Sequence, residues 1–167
     1  AQHIAKLCSG KLVLNDGIRL QSVSLRSNIL DNSFFNLPVT NIKQSPFAVT
    51  GNLGAVYMPT GGLRITGNIS SGFRAPNIDD AVRIFESSTV LQRVIIPNAD
   101  INPEYTYNFD LGFSQNIQDK IMFEVTGFYT LFRNAIATAP FKLNGQDSIV
   151  YNSVRSAVYA SQNVNKA

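Results

Sequence analysis

Cysteine and histidine occur once each in the 167 residues, and tryptophan does not occur at all. A single cysteine, Cys8, excludes an internal disulfide framework. With His3 as the only imidazole, most zinc constellations are excluded too, because a zinc site needs three or four protein ligands. Charge is equally scarce: 15% of residues are Asp, Glu, Lys or Arg, against roughly 25% in soluble globular domains. The net +3 is too small an excess to argue for a nucleic-acid partner. No stretch approaches the ~18 consecutive apolar residues of a membrane-spanning helix, and Ala1–Gly10 has neither the charged start nor the apolar run of a signal peptide. Helical spans are thereby excluded, but strands that cross a bilayer are not. Low-complexity tracts, interdomain linkers and repeats beyond a hairpin rhythm are also lacking.

What is present is a period of two. From Tyr105 to Asn116, Tyr105, Tyr107, Phe109, Leu111 and Phe113 alternate with Thr106, Asn108, Asp110, Gly112, Ser114 and Asn116, the pattern of a strand with one apolar and one polar face. Leu63, Ile65, Ile69 and Phe73 oppose Arg64, Thr66, Asn68, Ser70 and Arg74 in the same way. A third row, Ile121, Phe123, Val125, Tyr129 and Leu131, faces away from Glu124, Thr126 and Thr130, although Phe128 and Phe132 share the polar parity. Phe47, Val49, Leu53, Ala55 and Tyr57 form a fourth row, and Leu12, Leu14, Ile18 and Leu20 a fifth in which Asp16 is out of place. About seven strands are expected in all: Ala1 to Leu7, Lys11 to Ser27, Phe47 to Tyr57, Leu63 to Ala75, Tyr105 to Asn116, Lys120 to about Thr138, and one from about Ser148. Links at Met58–Gly62 and Asn116–Lys120 are short, whereas Leu30–Pro46 and Pro76–Glu104 are long and rich in Pro and Asn. Asp80 to Glu86 is expected to form a helical turn. The fold class is all-β, an antiparallel up-and-down meander.

Alternation alone fits a soluble sandwich and a membrane barrel equally. The polar rows decide between them, being mostly Thr, Asn, Ser and Gly, which suit a hydrogen-bonded barrel interior better than a watery surface. Segments of eleven to thirteen residues exceed the usual ~5–6 of globular strands and reach the ~9–11 that a tilted strand needs to cross a bilayer. An Arg against lipid costs roughly 2–4 kcal/mol at the midplane, so Arg64 and Arg74 should face the lumen or the rims.

Ser71-Gly72-Phe73-Arg74-Ala75-Pro76-Asn77-Ile78 resembles the "GFRAPN" segment of TonB-dependent outer-membrane receptors, where a strand rises into a long external loop. Pro97-Asn98-Ala99-Asp100-Ile101-Asn102-Pro103-Glu104 is similar to the "NPDLKPE" element of that family, with Asn102 in place of Lys, and Tyr107–Gly112 to its "NYELG" continuation. Gly127–Ile136 resembles the "FYTDIKDAI" strand end. Gln162-Asn163-Val164-Asn165-Lys166-Ala167 resembles "xNVGKA", with Asn165 in place of Gly. The resemblance implies that residues 1–167 are part of a β-barrel of ~22 strands, from its later half, with short periplasmic turns and long external loops. It further implies a Gram-negative outer-membrane location and energy-dependent uptake of a scarce nutrient of the siderophore-iron, vitamin or oligosaccharide class. Implied partners are the TonB complex, a plug domain lying outside these residues, outer-membrane lipid and an extracellular small-molecule or glycan ligand, with no catalysis, cofactor or nucleic acid. The alternative is a soluble antiparallel β-sheet module for adhesion or carbohydrate binding.

No constellation of nucleophile and base or of metal ligands emerges. Asp79, Asp80, Glu86 and Asp100 lack calcium-loop spacing and are expected as solvated loop carboxylates. Asp110 and Glu124 share the inward parity as a glycosidase pair would, with nothing else to signal a cleft. Gly61-Gly62 and Gly51–Gly54 lack the Lys-Ser/Thr of a phosphate loop, and Asn68-Ile69-Ser70 is a glycosylation sequon set in mid-strand. Arg74 and Asn77 are the candidate ligand contacts, since a lumenal Arg near the outer rim attracts anions. A structural role, anchoring the loop turn at Pro76, ranks ahead of that. The loop from Ala75 to Asn102, with Phe85, Leu91, Val94, Ile95 and Ile96, is where external ligand contacts are expected.

Overall fold

The computed structural model describes every residue except 34–36, 38–39, 83–91, 152 and 165–167. Its strands are β1 (Gln2–Leu7), β2 (Leu12–Ser22), β3 (Leu25–Asn28), β4 (Asn41–Gln44), β5 (Phe47–Thr60), β6 (Leu63–Arg74), β7 (Arg93–Ile96), β8 (Glu104–Ile117), β9 (Ile121–Arg133), β10 (Ala135–Pro140), β11 (Ser148–Tyr151) and β12 (Val154–Val164). A short α-helix, α1, spans Ile78–Val82, and Cys8–Gly10 form a 3₁₀ turn between β1 and β2. Contacts divide the chain into two units.

The first unit (Ala1–Gln21, Phe47–Phe73, Tyr105–Phe132) is a six-stranded sheet in the order β1-β2-β5-β6-β8-β9. Its strands β2, β5, β6, β8 and β9 are 11 to 14 residues long. Its connections are tight where the sequence predicts them. Gly61 and Gly62 alone separate β5 from β6. Between β8 and β9, Gln118 and Asp119 are both left-handed, with φ of 51° and 57°, and the Lys120 amide donates to the Ile117 carbonyl. Two left-handed central residues give the turn the twist of the strands it joins.

Alternation sorts the side chains of this sheet by face. Leu53 lies opposite Ile69, and Tyr57 opposite Ile65, while Asn52 meets Ser70 and Gly54 meets Asn68 on the other side. The apolar rows are exposed: Ile18, Leu20, Val49, Leu53, Ile69, Phe109, Leu111 and Val125 all lie open, Leu111 at 67%. Asp16, which breaks the β2 row, pairs across the strands with His3, their Nδ1 and Oδ1 atoms 3.2 Å apart.

The second unit (Ser22–Pro46, Arg74–Glu104, Arg133–Ala167) has a closed core. Leu37, Val94, Ile96, Leu143, Val158 and Ala160 are buried together, with Ile29, Phe141 and Ile149 packed against them. Here β12 pairs antiparallel with β10 and β11 and parallel with β7, whereas β3 and β4 form a separate ladder. Several expectations are corrected. The strand expected from Lys11 to Ser27 is two, β2 and β3, because Val23 and Ser24 leave the ladder. The strand expected from Lys120 to Thr138 breaks at Asn134, whose φ of 56° lies in the left-handed region. The antiparallel all-β class stands, and β7 adds a parallel pairing with β12 beside it. The helix begins at Ile78 rather than Asp80, because Asn77 caps it, and its expected continuation to Glu86 falls outside the described residues, as do Phe85 and Leu91. Val94 and Ile96 are core residues, at 0% and 3% exposure, so they are not available to an external ligand.

Candidate functional site

The face opposite the apolar rows is a ladder of small polar groups. Asn68 Nδ2 donates to Asp110 Oδ2 at 3.1 Å, and Thr130 Oγ1 donates to Asn108 Oδ1 at 2.9 Å. Glycines create the room for it. A Cβ on Gly17 would come within 2.6 Å of Asn52 Oδ1, and one on Gly54, Gly72 or Gly112 would overlap Asn15, Thr106 or Thr66. These glycines are sized to the polar side chain next door. Phe128 and Phe132, the two exceptions on this parity, are exposed. The apolar face carries aromatic pairs instead: Phe73 with Tyr105, Phe109 with Tyr129 and Phe113 with Phe123, at centroid distances of 5.4, 6.5 and 6.4 Å.

Arg74 ends β6 and is the centre of a second cluster. Its Nη1 donates to Asp80 Oδ2 at 2.8 Å, and its Nε stands 3.5 Å from Glu104 Oε1. The second oxygen of Glu104 accepts the Ile136 amide at 2.8 Å. Asn77 and Asp80 cap the start of α1 reciprocally: Asn77 Oδ1 accepts the Asp80 amide, and Asp80 Oδ2 accepts the Asn77 amide. This is the logic of a capping box, each side chain satisfying the backbone donor of the other. Both oxygens of Glu104 and the two bonded edges of Arg74 are therefore committed within the protein, although the Arg74 side chain stays 42% exposed.

A companion clasp was not anticipated. Asn163 accepts the Asn102 amide through Oδ1 at 2.7 Å and donates through Nδ2 to the carbonyls of Asn102 and Asn134, both at 2.8 Å. Asn98 adds a bond from Nδ2 to the Ser161 carbonyl. Arg74, Glu104, Ile136 and Asn163 come from four separate sequence motifs, which meet through two sets of hydrogen bonds side by side, Ile136 lying opposite Asn163 in the β10–β12 ladder. The legible signal for Asn163 was its place in a motif; its partners are 29 and 61 residues away and invisible to any local pattern.

The remaining candidates do not assemble. Among the described residues no group of three or more His, Cys, Asp or Glu side chains could hold a metal. His3 engages Asp16, and Cys8 is free and exposed at a turn. Asp110 is hydrogen-bonded by Asn68, and Glu124 is exposed on an adjacent strand. The Asp31 carboxyl is held below the usual range, because the Ser33 hydroxyl and amide both donate to it.

The two-faced sheet is the observation a family comparison must explain, and the family described as TonB dependent receptor-like, beta-barrel matches residues 2–167. The chain belongs to that family. A TonB-dependent receptor barrel is an outer-membrane structure of Gram-negative bacteria, and its exposed apolar rows and polar inner ladder are the two surfaces such a wall requires. The same fold is seen in a double mutant of the Serratia marcescens hemophore receptor HasR, solved in complex with its hemophore HasA and heme. The TM-score is 0.64 at 16% identity, over 92% of this chain and 27% of HasR. The barrel segment thus spans about a quarter of the HasR chain. No curated protein matches it by sequence.

Proposed function

We propose that this chain forms part of the wall of a longer outer-membrane receptor, which captures a scarce nutrient outside the cell and imports it with energy delivered through TonB. The observation that carries this reading is the sheet itself: strands of 11 to 14 residues expose Leu, Ile, Val and Phe on one face and hydrogen-bond Asn, Asp and Thr on the other. A soluble module would cover that apolar face with a second layer. Lipid is the partner for one face, and the plug domain and the passing solute are partners for the other. The nutrient is of the siderophore-iron, vitamin or oligosaccharide class; HasR, seen with heme and its hemophore, supports an extracellular ligand. Arg74 and Asn77 are assigned to holding the loop that follows β6, a role supported by their bonds to Asp80 and Glu104, and through that loop they shape ligand contacts.

Two measurements on the full-length receptor test this. A fluorophore at Phe109→Cys in bilayers should be strongly quenched by a lipid-phase quencher, and one at Asn108→Cys should not; protection of the Phe109 label would refute the membrane wall. Uptake of ferric chelates, heme, cobalamin and maltodextrins should include one substrate whose accumulation stops when TonB is deleted. TonB-independent accumulation of every substrate would overturn energy coupling.

A further inference from the structure

Arg74, the arginine that the sequence offers as an anion contact, is committed to Asp80 and Glu104. Two other arginines, Arg93 in β7 and Arg155 in β12, are not. β12 buries one face and shows the other: Ser156, Val158 and Ala160 are 1% exposed or less, whereas Arg155 and Ala157 lie open. Register carries the open face across three strands. Ala157 has Arg93 directly opposite on one side and Ser148 of β11 on the other. Strands lie ~4.8 Å apart and rise ~3.3 Å per residue, so Arg93 and Arg155, offset by two residues, are diagonal neighbours within reach of one small anion.

Each guanidinium is held in place, and neither is neutralised. The Arg93 guanidinium lies over the Tyr159 ring, 4.8 Å from its centroid, a contact that leaves its N–H donors free. Arg155 Nε donates to Ser148 Oγ at 3.1 Å; both Nη groups stay available, as does the proton of the serine hydroxyl. Among the described residues no carboxylate pairs with either arginine, the ion pairs being those of His3 with Asp16 and of Arg74 with Asp80 and Glu104. Like charges side by side on a sheet destabilise it, and nothing described in the chain offsets this pair. Ala157, between them, is too short to fill the space.

We infer that Arg93 and Arg155 form an oxyanion site that takes a phosphate or carboxylate group. The guanidinium fork matches both groups in a bidentate fashion, and charge-assisted hydrogen bonds of this kind are the strong ones. Ser148 adds a hydroxyl donor beside them. All of these residues belong to the second unit, so the site does not depend on the membrane wall. Only the source of the anion rests on the receptor reading above: an acidic nutrient, or the phosphate of a lipid headgroup.

The test is arginine modification by phenylglyoxal on the purified full-length receptor in a neutral detergent, mapped by peptide mass spectrometry. Inorganic pyrophosphate, titrated to saturation, should slow the labelling of Arg93 and Arg155 by at least about tenfold and leave the exposed Arg133 at its original rate. Ala157→Glu, which sets a carboxylate between the two arginines, should abolish that protection, and Arg155→Gln should abolish it at Arg93. Unchanged labelling of Arg93 and Arg155 would overturn the inference. So would equal slowing at Arg133, which marks general screening, or protection that survives both variants. Two further arms name the source. Protection by citrate upholds an acidic nutrient; protection in bilayers containing phosphatidylglycerol, but not in phosphatidylcholine alone, upholds a lipid headgroup. Failure of the pyrophosphate arm leaves the quenching and uptake results, on which the receptor reading depends, untouched.

Discussion

At Glu104 one carboxylate serves two chain segments: Oε1 faces the Arg74 guanidinium and Oε2 accepts the Ile136 amide. Removing it leaves a donor without an acceptor, which costs roughly 1–3 kcal/mol. The ion pair adds less, because Arg74 is substantially exposed and solvent screens it. Glu104→Ala should therefore speed hydrogen exchange at the Ile136 amide by at least about tenfold, and Glu104→Gln, which keeps an acceptor oxygen, by much less; equal exchange in both variants would show that the amide bond is not what the carboxylate contributes. Asn163→Ala should have a broader effect, since three backbone groups from two segments lose their partner. Asp31 allows a pH prediction. Its pKa is lowered in the folded chain by the Ser33 hydroxyl and amide. The turn is therefore favoured above the ordinary carboxylate pKa, and that contribution is lost as pH falls through the lowered value. Protection of the Ser33 amide, measured against its intrinsic exchange rate at each pH, should fall on acidification, and in Asp31→Ala it should be low throughout.

Strands read differently on their two faces, and glycine substitutions expose the difference. Gly112→Val would press a branched side chain onto Thr66 and Thr126, an overpacking worth about 1–3 kcal/mol. Gly127→Val points into open space and trades glycine for a good strand former. Thermal unfolding of the two variants in the same detergent should place Gly112→Val well below the wild type and Gly127→Val at or above it; the reverse order would invalidate the face assignment. The alternation from which the faces were assigned is visible in the sequence, because a period of two is fixed by backbone geometry. Strand ends are less visible. Nothing local to Lys11–Ser27 announces that the ladder breaks after Ser22, since that depends on β3 finding β4. Asp16 reads as an error in its row until His3 lies across from it.

The long segments between the sheet strands read as loops because they carry Pro and Asn without a sustained period. The chain instead gathers them into a unit with its own core, in which Val94 of β7 and Val158 of β12 are among the most deeply buried side chains and their strands run parallel. A parallel pair needs a distant partner, and the four residues of β7 are too few to signal one. The clasp at Arg74, Glu104 and Asn163 has the same origin: its residue types stand in recognisable motifs, but their meeting is a property of the whole chain. Two units, of which the second has a buried core of its own, should fail separately. Ile96→Ala deletes a buried side chain at about 2–5 kcal/mol. In the full-length receptor it should raise hydrogen exchange in 93–96 and 154–164 while the amides of 105–132 stay protected. The six-stranded sheet has no comparable core to lose, since its large side chains lie exposed on one face and its polar ladder occupies the other. Uniform loss of protection across both segments would mean that the units unfold as one body, and the second unit would then be part of what holds the wall together.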